Sequence, residues 1–204
     1  GSFRGRSMIV LARSAHDGVE LVAIDPHAGN DRGPQEIEGY VEEAAEDHVV
    51  FNANLERAGV RDRVRHVRAM SDAAHDDVDD PIDLLYIDGA HRYGPARTDI
   101  RDWGDRVRPG GTMLIHESFS SVGVTLAIAR ELAVGPRWRY VGRSQSMTEY
   151  RRERLGVKAR IANAVHQGLE LPWFARNLVI KALIVARLGA VTRLLGHDPE
   201  TWPY

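Results

Sequence analysis

Short apolar runs alternate with longer stretches of helical periodicity through the first two thirds of the chain. Residues 6–16 place Met8, Ile9, Leu11, Ala12 and Ala15 on one side of a predicted helix. Residues 19–24 form a short strand that stops at Asp25-Pro26. A polar loop over 27–33 leads to Pro34, which suits the first turn of a helix running to about Ala58, with room for a break near His48. Ile37, Tyr40, Val41, Ala44, Ala45, Phe51 and Leu55 can face inward there, while the intervening acids form a solvated face. Gly59 ends the helix. Residues 63–68 fit a strand, and 71–80 a short acidic helix or loop. After Pro81 the run 82–87 is nearly continuous in apolar residues, as in a parallel strand covered on both faces. A helix through Asp99, Ile100, Trp103 and Val107 follows, then the turn Arg108-Pro109-Gly110-Gly111 and a buried strand over 112–115. Val122 to Val134 is helical, and 137–143 with 146–151 make two strands joined by a tight turn. This alternation predicts an α/β fold with a doubly wound, mostly parallel sheet, right-handed crossovers and ligands beyond the carboxyl ends of the strands.

From Arg152 the pattern becomes purely helical, so the chain divides into a catalytic domain over 1–151 and a helical extension over 152–204. Leu155, Ala159, Ala162, Val165 and Leu169 make one apolar stripe, Leu171-Pro172-Trp173-Phe174 breaks the run, and a second helix is expected over 175–195. Lys181, Arg187 and Arg193 fall about 120° apart around an ideal helix, which rules out a membrane span there. Three readings of this segment stand: a homodimer contact or lid, a peripheral membrane contact through 173–195, and a simple packed helix. The aromatic ending 201–204 is expected to dock.

With 43% hydrophobic and 27% charged residues in 204, the composition is that of a globular protein, and a net charge of −2 gives no basic balance for nucleic acid. The absence of cysteine excludes disulfides, zinc thiolates, iron–sulfur clusters and a cysteine nucleophile, and fits a cytoplasmic protein. The apolar run 8–12 is too short for a signal-peptide core.

Candidate chemistry sits at the strand ends. Asp25 lies about 20 residues after the opening glycines, a distance at which a strand-end carboxylate accepts from ribose hydroxyls; alternatively, Asp25-Pro26 merely begins a turn. Asp88 ends the buried strand, as a metal ligand or an orienting group, and His91 three residues on can act as a general base or bond within its loop. His116 and Glu117 end the next strand. With Asp88 they make an oxygen-rich set suited to Mg²⁺ or Mn²⁺, or they bind substrate without metal. Ser71 caps the following turn or faces a ligand. The opening Gly1-Ser2-Phe3-Arg4-Gly5-Arg6-Ser7 is either an artificial leader or part of a glycine-rich turn whose strand lies upstream.

These pieces resemble the class I S-adenosylmethionine-dependent methyltransferases over residues 1–151, and more narrowly the small O-methyltransferases with an Ile-Asp-Gly-x-His strand end, here Ile87-Asp88-Gly89-Ala90-His91. The resemblance implies that Gly1, Ser2, Gly5 and Ser7 form the first cofactor motif, following a strand upstream of Gly1. It implies that Asp25 binds the cofactor ribose, that Ala69, Met70 and Ser71 line the adenine, and that Asp88 also faces the cofactor. Asp88, His116 and Glu117 stand where metal-dependent small-molecule and sugar O-methyltransferases place carboxylates, and the loop at 27–33 with the helical tail looks like a substrate-recognition addition, nearest in flavour to an actinobacterial sugar or polysaccharide O-methyltransferase. His116 and Ala90 depart from that pattern, which moves the base role to His91. The implied reaction is methyl transfer to a hydroxyl of a sugar or polyol-like acceptor. A nicotinamide-dependent oxidoreductase and a non-catalytic methyltransferase-like partner protein are the alternatives.

Overall fold

A computed structural model describes residues 1–27, 40–79 and 81–198, with 40–45 described as backbone only. The expectations for the loop at 28–33, for Pro34 and Ile37, for the 201–204 ending and for a strand ahead of Gly1 lie outside the described residues. The chain folds as two units, residues 1–80 with 88–90 and residues 81–87 with 91–204.

The first unit contains α1 (Arg6–Ser14), β1 (Leu21–Ile24), α2 (Tyr40–Arg57) and β2 (Val64–Val67). β1 and β2 pair in parallel, from Leu21 opposite Val64 to Ile24 opposite Val67. Ala12, Ala23, Phe51, Leu55, Val60 and Val64 form the core between helices and strands. α2 runs through His48 without a break. Its end is set by Gly59, whose φ of 69° lets the chain reverse. The Val60 and Gly59 N–H groups then donate back to the Leu55 and Glu56 carbonyls, closing a Schellman motif. The acidic stretch after β2 forms two single 3₁₀ turns, Ser71–Ala73 and His75–Asp77.

The second unit contains β3 (Ile82–Ile87), α3 (Tyr93–Thr98), β4 (Val107–Ile115), α4 (Val122–Glu131), β5 (Trp138–Ser144), β6 (Met147–Arg152), α5 (Val157–Gly168) and α6 (Leu171–Val185). The sheet order is β3-β4-β6-β5, parallel between β3 and β4 and antiparallel beyond. The helix expected through Val107 stops earlier. α3 passes into a π-type turn at Asp99–Trp103 and a 3₁₀ turn at Gly104–Arg106, and Val107 opens β4 opposite Ile82. The Arg108–Gly111 turn is an irregularity inside β4: pairing moves from Ile82/Val107 to Leu84/Thr112.

The C-terminal helices also differ from expectation. Pro172 sits in the first turn of α6, where its missing N–H leaves nothing unsatisfied, so Leu171–Phe174 begins a helix instead of breaking one. α6 ends at Val185 and a 3₁₀ turn covers Gly189–Leu195. In α5 the expected inner stripe faces out at Val165 and Leu169, while Asn163 and Gln167 are buried. The reason is the edge of the sheet. β5 is an edge strand, and its outer backbone groups need partners. Asn163 Oδ1 accepts from the Tyr140 N–H at 2.6 Å, and Asn163 Nδ2 donates to the Trp138 carbonyl at 3.2 Å. Gln167 Oε1 accepts from the buried Tyr150 hydroxyl at 3.0 Å.

Asn163→Ala should therefore leave the buried Tyr140 N–H unpaired and cost about 2 kcal/mol. A lowered urea midpoint checks this; an unchanged midpoint would show that water replaces the amide.

Candidate functional site

The opening turn is held by one carboxylate. Asp25 follows β1 directly, and its Oδ2 accepts from the Ser2 and Phe3 N–H groups at 2.5 and 2.9 Å, while Oδ1 accepts from the His27 N–H at 2.8 Å. Burial by itself raises this carboxyl's pKa, but the N–H groups of His27, Phe3 and Ser2 outweigh it, and the net shift is downward. Four lone-pair positions and three donors leave one acceptor position open. Phe3 and His27, on either side of this clamp, both have φ of 44°, a strained conformation for residues other than glycine.

Gly1 lies against the turn that leaves β3. A Cβ at Gly1 would stand 2.2 Å from the Asp88 carbonyl oxygen, so only glycine permits this approach. Ser2 Oγ is buried and has no hydrogen-bond partner. Gly5, at φ 85°, caps α1 against the Phe51 ring, and Ser7 lies in the first turn of α1. Past β2, Ala69 is half-buried, Met70 is exposed, and Ser71 opens the first 3₁₀ turn instead of capping it.

Sequence reasoning missed the histidines around Asp25. The rings of His27, His48 and His66 lie 5.0–5.3 Å apart by centroid, with Phe51 against His27 and His66. His27 Nε2 meets the Phe3 carbonyl at 2.8 Å and His66 Nε2 meets the Asp25 carbonyl at 3.2 Å. A carbonyl only accepts, so both Nε2 atoms carry the proton. His27 Nδ1 is buried without a hydrogen-bond partner, 3.9 Å from Asp25 Oδ1. Burial, and then neighbouring positive charge, lowers the pKa of His48; burial first lowers that of His66 as well. These residues come from α2, β2 and the turn after β1, and no spacing in the sequence links them.

The second constellation is at the carboxyl ends of β3 and β4. The parallel pairing continues one step past Ile87, whose carbonyl accepts from the His116 N–H at 2.9 Å. One ligand atom from each of Asp88, His91 and His116 falls within 4.8 Å of the others, the one such group among the described residues. α4 sets the His91 backbone: Ser121 Oγ donates to the His91 carbonyl at 2.9 Å, and a Cβ on Gly123 would come within 2.4 Å of that same oxygen. Glu117 is not in the group. It is buried at φ 58° and accepts from Lys181 Nζ of α6 at 3.2 Å. Lys181 also donates to the Ser120 carbonyl, and Asn177 Nδ2 donates to that of Phe119. α6 thus fixes the loop that carries Glu117.

A family model described as a methyltransferase domain matches residues 1–118. Among solved structures, cofactor-bound Rv0187 from MTB superimposes with a TM-score of 0.55 at 21% identity, over 76% of this chain and 71% of that one. The O-methyltransferase NovP gives 0.56 at 16% identity over 74% and 69%. CalS11, a calicheamicin methyltransferase, gives 0.52 at 17% over 74% and 69%. At these identities the likeness shows a Rossmann-like fold with a helical C-terminal extension. No curated protein matches the chain.

The Asp25 clamp has a defined pH signature. Its carboxyl titrates lower in the folded state than the ordinary 3.8, so its stabilisation is full above that value and is lost as pH falls through the folded pKa. Asp25→Asn should cost about 2 kcal/mol at pH 7, where charged hydrogen bonds are lost. The gap from the unsubstituted protein should shrink as pH falls below 3.8. Denaturant titration at both pH values checks this; a pH-independent gap would sink the assignment.

Proposed function

The chain belongs to the methyltransferase-domain family, and on that premise we propose that it is an S-adenosylmethionine-dependent O-methyltransferase, assisted by a divalent ion and acting on a hydroxyl of a sugar or other small polyol-like acceptor. The observation that carries the reading is the grouping of Asp88, His91 and His116 at adjacent strand ends. The names of NovP and CalS11 support the O-methyl and small-molecule parts.

The residues of the opening turn fit the cofactor. Gly1 keeps side-chain bulk away from the Asp88 backbone, Asp25 has one acceptor position left for a ribose hydroxyl, and Ser2 Oγ is a buried hydroxyl in need of a partner. Gly5 and Ser7 shape the same turn, and Ala69, Met70 and Ser71 are assigned to the adenine side. S-adenosylmethionine, when bound, supplies an electrophilic methyl group on a sulfonium.

The donor set Asp88, His91 and His116 is one carboxylate with two imidazoles. Such a set suits Mn²⁺ better than Mg²⁺, which prefers oxygen. A divalent ion there would draw charge from the acceptor hydroxyl and ease its deprotonation. Glu117 remains a candidate ligand only if Lys181 releases it. His91 has two possible tasks in this scheme, ligand or general base for the hydroxyl proton, and the 4.8 Å grouping favours ligand.

Calorimetric titration with S-adenosylmethionine and with a nicotinamide dinucleotide tests the cofactor, and binding of the dinucleotide alone would overturn the reading. His91→Ala should abolish most methyl transfer to sugar acceptors and leave S-adenosylmethionine affinity within about twofold. If His91 is a ligand, Mn²⁺ affinity should fall about tenfold or more; if it is only the base, Mn²⁺ affinity should hold. Unchanged turnover would reject both roles. Absence of turnover in the unsubstituted protein, despite cofactor binding, would favour a non-catalytic partner.

A further inference from the structure

α5 is amphipathic in the reverse sense. Its buried positions, Asn163 and Gln167, are polar and are used up on the edge of β5 and on Tyr150. Its outer face carries Val157, Ile161 and Val165, with Leu169 just past its end, at exposures of 70, 61, 56 and 71%. Steps of four residues keep these side chains within about 120° of arc. Farther along the chain, Val185 is 74% and Leu194 87% exposed as well. A stripe like that of α5 marks a surface that meets something apolar.

Charge decides what that is. Residues 152–195 hold eight basic and two acidic residues, an excess of six in a chain whose net charge is −2. Both acids are already paired, Glu153 with Arg139 and Glu170 with Arg143, and among the cations Lys181 is turned inward onto Glu117. Lys158, next to Val157 in the chain, and Arg187 and Arg193 farther on are exposed. A symmetric contact with a second copy would set this cationic surface against itself. An anionic bilayer satisfies both halves, taking the side chains into the acyl boundary and the cations among its headgroups. No helix among the described residues is long and apolar enough to cross a membrane.

We propose that the outer face of α5, with the cations that flank it and follow it, docks the protein on an anionic lipid surface. The inference is independent of the methyl-transfer reading, since neither the cofactor turn nor the Asp88 group takes part.

Vesicle co-sedimentation of the full chain, without cofactor, tests it. Partition onto phosphatidylcholine vesicles containing phosphatidylglycerol should exceed that onto pure phosphatidylcholine by about tenfold or more, and should weaken with salt. Ile161→Gln with Val165→Gln should remove most of the binding while thermal melting stays unchanged, because both side chains are solvent-exposed. Lys158→Glu should weaken binding with the apolar stripe intact. Failure of the unsubstituted protein to bind anionic vesicles overturns the proposal, as does full binding by the glutamine pair. A dimer that the glutamine pair splits, without vesicle binding, would assign the face to a second copy instead.

Discussion

The parallel pairing of β3 with β4 is the constraint from which the second unit follows. Parallel strands bring their carboxyl ends to the same edge, so the residues that leave Ile87 and Ile115 emerge side by side. One hydrogen bond beyond the regular ladder, from the His116 N–H to the Ile87 carbonyl, holds that edge. Asp88, His91 and His116 gather there as a consequence. Ser121 and Gly123 then press α4 against the His91 backbone, which limits where the imidazole can go. The other side of β4 is occupied by β6, and the loop after β4 is tied to that strand by the Ser118–Thr148 hydroxyl contact at 2.7 Å.

The first unit solves a different problem, that of holding a glycine-containing turn open. Backbone N–H groups in such a turn have few internal partners, and Asp25 supplies acceptors for those of Ser2 and Phe3. The carboxylate is thereby structural first, whatever it also binds. The histidine rings behind it fill a space that an aliphatic core would close more simply. Two of them instead donate to the carbonyls of Phe3 and Asp25, which adds polar fixation to the same turn.

The C-terminal helices brace the second unit as well as cover it, for Trp173 and Phe174 of α6 pack on its core. Asn163 satisfies the free edge of β5, and Asn177 with Lys181 satisfies carbonyls of the loop after β4. Both jobs need polar side chains on the inner face. The apolar residues of α5 are left outward, and the balance between burial and hydrogen bonding is set by the edge strand that the helix meets.

Local rules identified most elements, because period, glycine and proline act over a few residues. The strand 82–87, the Gly59 stop and the final hairpin each carry such a signal, as does Asp25 at a strand end. The same rules failed where a distant partner decides. Val107 has helical neighbours but is taken by Ile82 as a strand partner. Nor could those rules show that Glu117, placed at a strand end, would meet Lys181, 64 residues away. His27, His48 and His66 share no pattern and meet only through folding. By itself the sequence determined the α/β class, the strand ends and the residue types placed on them, since these follow from periodicity and turn chemistry. Only the tertiary structure decided which strand-end groups converge and which face of α5 turns inward, since both depend on hydrogen-bond partners that lie far apart along the chain.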